Sequence, residues 1–132
     1  MNRVEAKVKD IRSVDSLYVV TFKCCIGQVR MVSLDLDRQL QEGDIVTLGV
    51  NFTSVAVAKN FRGALSFTNQ LPAKISGIEH GELLSVVELA CGEAVLESLL
   101  LTDSVTRLEL KPEDNVTMII KANDIYLLGR EK

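Results

Sequence analysis

Apolar and polar residues alternate through Val4-Glu5-Ala6-Lys7-Val8, the period-two pattern of a strand with one buried face, and residues 4–11 are predicted as an opening strand. Two further apolar runs at 17–25 and 28–34 are separated by Ile26-Gly27, a turn signal short enough to demand an antiparallel hairpin. Strands at 45–50 and 55–58 follow. The same succession then returns: an alternating stretch through Ile75-Ser76-Gly77-Ile78, strands at 83–90 and 94–101 about Cys91-Gly92, and strands at 116–121 and 125–128. Between the last two pairs, Thr102-Asp103-Ser104-Val105-Thr106-Arg107-Leu108 combines N-cap residue types with apolar positions three apart, predicting one or two helical turns. A brief helix is expected at the same point of each unit.

The succession is a duplication. Asn2-Arg3-Val4-Glu5-Ala6-Lys7-Val8 recurs as Asn69-Gln70-Leu71-Pro72-Ala73-Lys74-Ile75, offset by 67 positions, and Val20, Phe22 and Cys24 have counterparts Val87, Leu89 and Cys91 in the same frame. The closing segments, Gly43-Asp44-Ile45-Val46-Thr47 and Asp114-Asn115-Val116-Thr117, are offset by 70, so the first copy lacks about three residues midway. Two units are expected, at 1–60 and 61–132, each of about five short strands in the order of a small oligonucleotide/oligosaccharide-binding type barrel. The fold class is therefore all-β with short helices. Units this small sit near the lower limit for an independent core, and their open strand edges carry few prolines, so strand exchange or tight association is expected. The connection 59–67, with Phe61, Leu65 and Phe67, is too apolar for a loose tether.

Composition narrows the function. The hydrophobic share is 47% with 5% aromatic and no Trp, which gives an aliphatic, strand-favouring core. Formal net charge is −3 and the Lys and Arg residues are scattered, which argues against nucleic acid as a ligand. Cys24, Cys25 and Cys91 have neither disulfide-framework nor zinc spacing, and Cys24 and Cys91 read as small buried residues of a reduced, cytoplasmic protein. No signal core or membrane-spanning run is present. The single histidine, His80, lies in a polar turn; without a nucleophile motif or phosphate loop the chain reads as a binding protein and not an enzyme.

Three blocks in order carry a resemblance: Ser66-Phe67-Thr68-Asn69-Gln70-Leu71; Thr102-x-Ser104-Val105 leading to Leu108-x-Leu110-Lys111; and Asp114-x-Val116-Thr117-x-Ile119-Ile120-Lys121-Ala122. Together they resemble the molybdate-binding Mop domain of the TOBE family, which opens with Ser-Ala-Arg-Asn-Gln-Leu and closes with Val-x-Ala-x-Ile-Lys-Ala. Through the repeat the likeness extends over residues 2–58, and the whole is similar to the tandem-Mop molbindins and to the sensor region of molybdate-responsive regulators. The resemblance implies a bound molybdate or tungstate, no direct protein–metal ligands, and a site between subunits or repeats drawn from Ser66, Thr68, Asn69, Gln70, Lys121, Ala122 and Asn123. Such a dianion offers acceptor oxygens only, so it needs converging N–H and O–H donors with one or two cations. Thr102 and Ser104, as hydroxyl donors at a helix start, join the candidates.

Departures from the family are specific. Thr68 stands where the family has Arg, and Arg62 in the connection is the candidate replacement cation. In the first copy Asn51 replaces the closing Lys, while Asp35 and Asp37 replace Thr102 and Ser104, where carboxylates repel a dianion. A structural first repeat, or one supplying part of a composite site, is expected. The leading reading is a cytoplasmic molybdate/tungstate-binding homo-oligomer, dimer or trimer, for storage, buffering or homeostasis, with no direct nucleic-acid or membrane partner. Its alternatives are a ligand-sensing subunit of a regulator lacking its own DNA-binding domain, and a degenerate interaction module.

Overall fold

The structure, a computed structural model, describes residues 1–36 and 39–130. The first repeat forms β1 (Asn2–Val14), β2 (Leu17–Cys24), β3 (Gly27–Ser33), β4 (Ile45–Val50) and β5 (Val55–Ala58). The second forms β6 (Asn69–Glu79), β7 (Leu84–Cys91), β8 (Ala94–Leu101), α1 (Thr102–Arg107), β9 (Asn115–Ile120) and β10 (Tyr126–Arg130). Period-two patterning is realised as buried–exposed alternation over the first eight residues of both β1 and β6. Each of these long strands carries a register shift, between Val8 and Asp10 and between Ile75 and Gly77, again 67 apart. Such bulges bend a strand, here at the point where it leaves one neighbour for the other.

The sheets are not closed by their own fifth strands. One has the order β10-β4-β1-β2-β3 and the other β5-β9-β6-β7-β8, all neighbours antiparallel, so each repeat lends its last strand to the other. Val55 of β5 faces Ile120 of β9, and Tyr126 of β10 faces Gly49 of β4. This exchange meets the expectation drawn from unblunted edges. A cation at the end of each lent strand fastens it to the receiving unit. Lys59 pairs with Asp114 at 3.0 Å and donates to the Glu109 carbonyl at 2.8 Å; Arg130 approaches Asp44 at 3.7 Å and Gln39 at 3.2 Å.

Both repeats contribute to one apolar core. Val8, Val20, Phe22, Met31 and Val46 of the first are buried in a continuous cluster with Ile75, Val87, Leu89, Leu96, Met118 and Ile120 of the second. Where the first repeat has Met31, the second has Ser98, whose buried hydroxyl is satisfied by donating to the Val55 carbonyl of the lent β5 at 2.5 Å. The hairpin turns Cys25-Ile26 and Gly92-Glu93 stack on one another. Gly92 has φ 59°, and a Cβ there would overlap the Cys25 carbonyl oxygen, so only glycine fits.

Two buried asparagines tie the repeats together reciprocally. The Asn69 carboxamide accepts from the Arg30 N–H at 2.8 Å and donates to the Arg30 carbonyl at 2.9 Å; Asn2 does the same to Glu97, both at 2.8 Å. Arg30 and Glu97 are themselves 67 apart. Each asparagine thus acts as one more peptide group on the outer edge of β3 or β8.

Some local expectations need correcting. Among the described residues no helix stands in the first repeat between β3 and β4, and Asp37 lies outside them. In the second, Leu101 occupies the N-cap with no side-chain cap bond, and Thr102 is the first helical residue. Its hydroxyl serves tertiary contacts instead, donating to the Gly81 carbonyl at 2.9 Å and bonding the Ser85 hydroxyl at 2.8 Å. Two 3₁₀ turns absent from the sequence reading, Phe52–Ser54 and Ala122–Asp124, follow β4 and β9. Phe61 and Leu65 of the connection are 41% and 39% exposed, so its anchorage comes from Lys59 and Gln70 rather than from those side chains.

Candidate functional site

The end of β9 and the start of β6 lie side by side, Asn69 facing Ile120, and this register brings the opening and closing blocks together. Lys121 follows Ile120 directly and leads into the 3₁₀ turn Ala122–Asp124; Ser66, Phe67 and Thr68 precede Asn69. Between them lies an open cavity of about 380 Å³ lined by Ser66, Phe67, Thr68, Lys121, Ala122, Asn123 and, from β3 of the other repeat, Val32. Five of the nine candidate residues meet there.

The lining suits an acceptor-only ligand. It holds two hydroxyls, one carboxamide, one ammonium and no carboxylate. The ammonium of the exposed Lys121 has no ion pair or hydrogen bond among the described residues, and it stands 5.9 Å from the centroid of the Phe67 ring. The first amides of a 3₁₀ turn have no partner within it, which adds main-chain donors at Ala122 and Asn123. By contrast, a larger groove of about 530 Å³ that collects Arg3, Lys7 and Lys23 also collects Glu5 and Glu93, carboxylates that repel a dianion.

The remaining candidates have other surroundings. Asn69 is 1% exposed, with both ends of its carboxamide engaged by Arg30. Gln70 donates from Nε2 to the carbonyls of Phe67 at 2.6 Å and Leu65 at 3.3 Å, which holds the loop carrying Ser66. Thr102 and Ser104 do not line the cavity. Through the pairings of Glu79 with Val86 and Leu84 with Leu101, α1 stands at the level of the far end of β6, ten residues from Asn69. Arg62 is exposed and outside the lining, so the cation missing at position 68 is not replaced from the connection within this chain.

Among the described residues the first repeat does not repeat this set of side chains. Asn51, half-buried before its 3₁₀ turn, stands where Lys121 does, and Asp35 is exposed beside the neighbouring apolar cavity that also takes Asn123 and Tyr126. Val32 and Phe67 were not among the sequence candidates. Phe67 was readable as the ring inside the opening block; Val32 comes from the other repeat and left no local signal.

Cys91 is buried as expected, whereas Cys24, at the end of its strand, is only half-buried; burial, above all, raises the pKa of both, and Cys91 donates to the carbonyls of Pro72 at 3.2 Å and Ile26 at 3.6 Å. Among the described residues no group of three or more His, Cys, Asp or Glu side chains is placed to hold a metal ion. No described helix is long and apolar enough to cross a membrane.

Comparison with known proteins agrees with this fold. Residues 66–127 match the model of the TOBE domain. Among solved structures, the chain is similar to the cytoplasmic molybdate-binding protein ModG, crystallised with molybdate bound, at 25% sequence identity and a TM-score of 0.87 over 96% of this chain and 94% of that one. No curated protein matches the sequence.

Proposed function

We propose that this chain, which belongs to the TOBE domain family through residues 66–127, binds molybdate or tungstate at the cavity between β6 and β9 and serves to store or buffer the anion in the cytoplasm. The observation that carries the reading is the convergence of Ser66, Thr68, Lys121, Ala122 and Asn123 on one cavity with a free ammonium and no carboxylate. The likeness to ModG over almost the full length of both chains supports it. A tetrahedral dianion presents only acceptors, and every polar side chain in this lining is able to donate. Phosphate and sulfate are the natural competitors. A monoprotonated phosphate must donate one hydrogen bond, for which the lining offers only hydroxyl and carboxamide oxygens.

The reading is of a binding protein: the cavity's lining has no histidine, cysteine or carboxylate to activate its hydroxyls. Asn69 and Gln70 take supporting parts, the first by locking β6 to β3, the second by bracing the loop at Ser66. The cavity is open on one side, and exposed Phe61, Leu65, Tyr126 and Leu128 provide apolar surface for association, so a homo-oligomer whose neighbouring subunit helps cover the anion is part of the proposal. Equilibrium dialysis against molybdate, tungstate, sulfate and phosphate tests the ligand. Uptake of the first two in preference is expected; equal uptake of all four, or none, rejects the reading. Light scattering over a concentration series, with and without molybdate, tests the assembly, and a monomer throughout rejects it.

A further inference from the structure

The opening block of this chain has lost a cation and gained a ring, Thr68 and Phe67 replacing the Arg and Ala of the family pattern, and both changes fall on the wall that faces Lys121. We propose that Phe67 is a positioning residue for Lys121: its ring face holds the lone ammonium over the cavity and lets one cation serve where the family pattern has two. This inference rests on the anion-binding reading above.

Three observations support it. First, no described carboxylate pairs with Lys121, and its ammonium lies over the Phe67 ring, 5.9 Å from centroid to Nζ. A cation at that distance over an aromatic face is attracted by the ring quadrupole without being neutralised, so its charge stays available to an anion. Second, the ring is itself held. Phe67 is half-buried, and the Gln70 carboxamide bonds its carbonyl at 2.6 Å and that of Leu65 at 3.3 Å, fixing the loop on both sides of Ser66. Third, Phe67 and Val32, with the methyl of Ala122, are the apolar side chains that share the lining with Lys121. Apolar walls exclude water on that side and strengthen the attraction between ammonium and anion. A free lysine samples many rotamers, and confining it in advance removes part of the entropy lost on binding.

The test uses the full-length protein and three substitutions. Phe67→Leu keeps apolar bulk and removes the π face, Phe67→Ala removes both, and Phe67→Trp keeps the face. In the absence of any anion, the Lys121 side-chain methylene protons, identified by their loss in Lys121→Arg, should resonate upfield of free lysine in the parent protein and in Phe67→Trp. They should return to the free position in Phe67→Leu and Phe67→Ala. Molybdate affinity by calorimetry should fall about two- to fivefold in the Leu and Ala variants and stay at or above the parent value in the Trp variant. Lys121 protons at free-lysine positions in the parent overturn the pairing, and parental affinity in Phe67→Leu overturns its role. If the parent protein binds neither molybdate nor tungstate, the functional reading fails and the binding role of Phe67 with it, while the proton shifts still decide whether the ring holds the lysine.

Discussion

Replacing Asn69 by Ala should weaken the join between the repeats more than any surface change of equal size. The carboxamide is 1% exposed and makes two hydrogen bonds, at 2.8 and 2.9 Å, to the main chain of Arg30 on the outer edge of β3. Each bond contributes about 1 kcal/mol net, so their loss costs about 2 kcal/mol, rising towards about 4 kcal/mol if the Arg30 amide and carbonyl are left dry behind the truncated side chain. Asn2→Ala removes the equivalent pair at Glu97, but Asn2 is 8% exposed, so water replaces the lost partner more easily and about 1–2 kcal/mol is expected. Urea unfolding followed by circular dichroism reads both. With a slope of about 1–3 kcal/mol/M, the Asn69→Ala midpoint should fall by about 1 M. Asn69→Asp keeps the acceptor for the Arg30 amide but sets a carboxylate against its carbonyl, and should be at least as damaging at neutral pH. A midpoint shift under about 0.3 M for Asn69→Ala would refute the view that this side chain clamps the repeats.

Other consequences are open to measurement. Lys121→Ala should abolish most molybdate binding while Asn51→Ala changes little, because Lys121 is the cation lining the candidate cavity and the uncharged Asn51 holds its place in the first repeat; comparable losses in calorimetry would make the first repeat a working site. Gly92→Ala should destabilise by at least about 2 kcal/mol, since it combines a left-handed residue with overlap at the Cys25 carbonyl, and an unchanged melting temperature would contradict the stacked turns. The Lys59 side-chain hydrogen bond, first among its causes, holds the Asp114 carboxyl below its ordinary range. The stability this confers is complete above that range and fades as pH falls through the folded-state value. Lys59→Met should therefore flatten this part of the acid limb of a stability–pH curve, and an identical limb in both proteins would remove the bridge from the account.

Strand positions were legible because burial on one face imposes alternation, and the repeat was legible because matched positions keep one frame. The pairing of the fifth strands was not. Val55-Ala56-Val57-Ala58 is equally apolar whether it lies beside β4 or β9, so sequence could anticipate an exchange without naming the strands that make it. At the site, the closing block reached its place through a local cause, the neighbouring register of β6 and β9. Asn69 shows the limit: a carboxamide has the same donor and acceptor whether it meets an oxyanion or a peptide edge, and the partner it does meet, Arg30, is 39 residues away. Thr102 was ambiguous between cap and ligand for the same reason, and its contacts with Gly81 and Ser85 belong to a turn that only the folded β7 and β8 create.

The reciprocal loan of β5 and β10 means that this chain is arranged as a domain-swapped dimer whose two protomers have been fused end to end. In such an arrangement the connection 59–67 supplies proximity more than architecture, since the interlocking is done by the strands at either end. A chain severed within the connection, near Gly63, should still assemble from its two pieces once both are present at sufficient concentration, whereas either piece alone would expose the edge its missing partner fills. The ancestral single-repeat protein implied by the duplication could have paired with a second copy in just this way, and fusion would then have turned a concentration-dependent association into an intramolecular one and left each repeat free to specialise, as Lys121 and Asn51 now do.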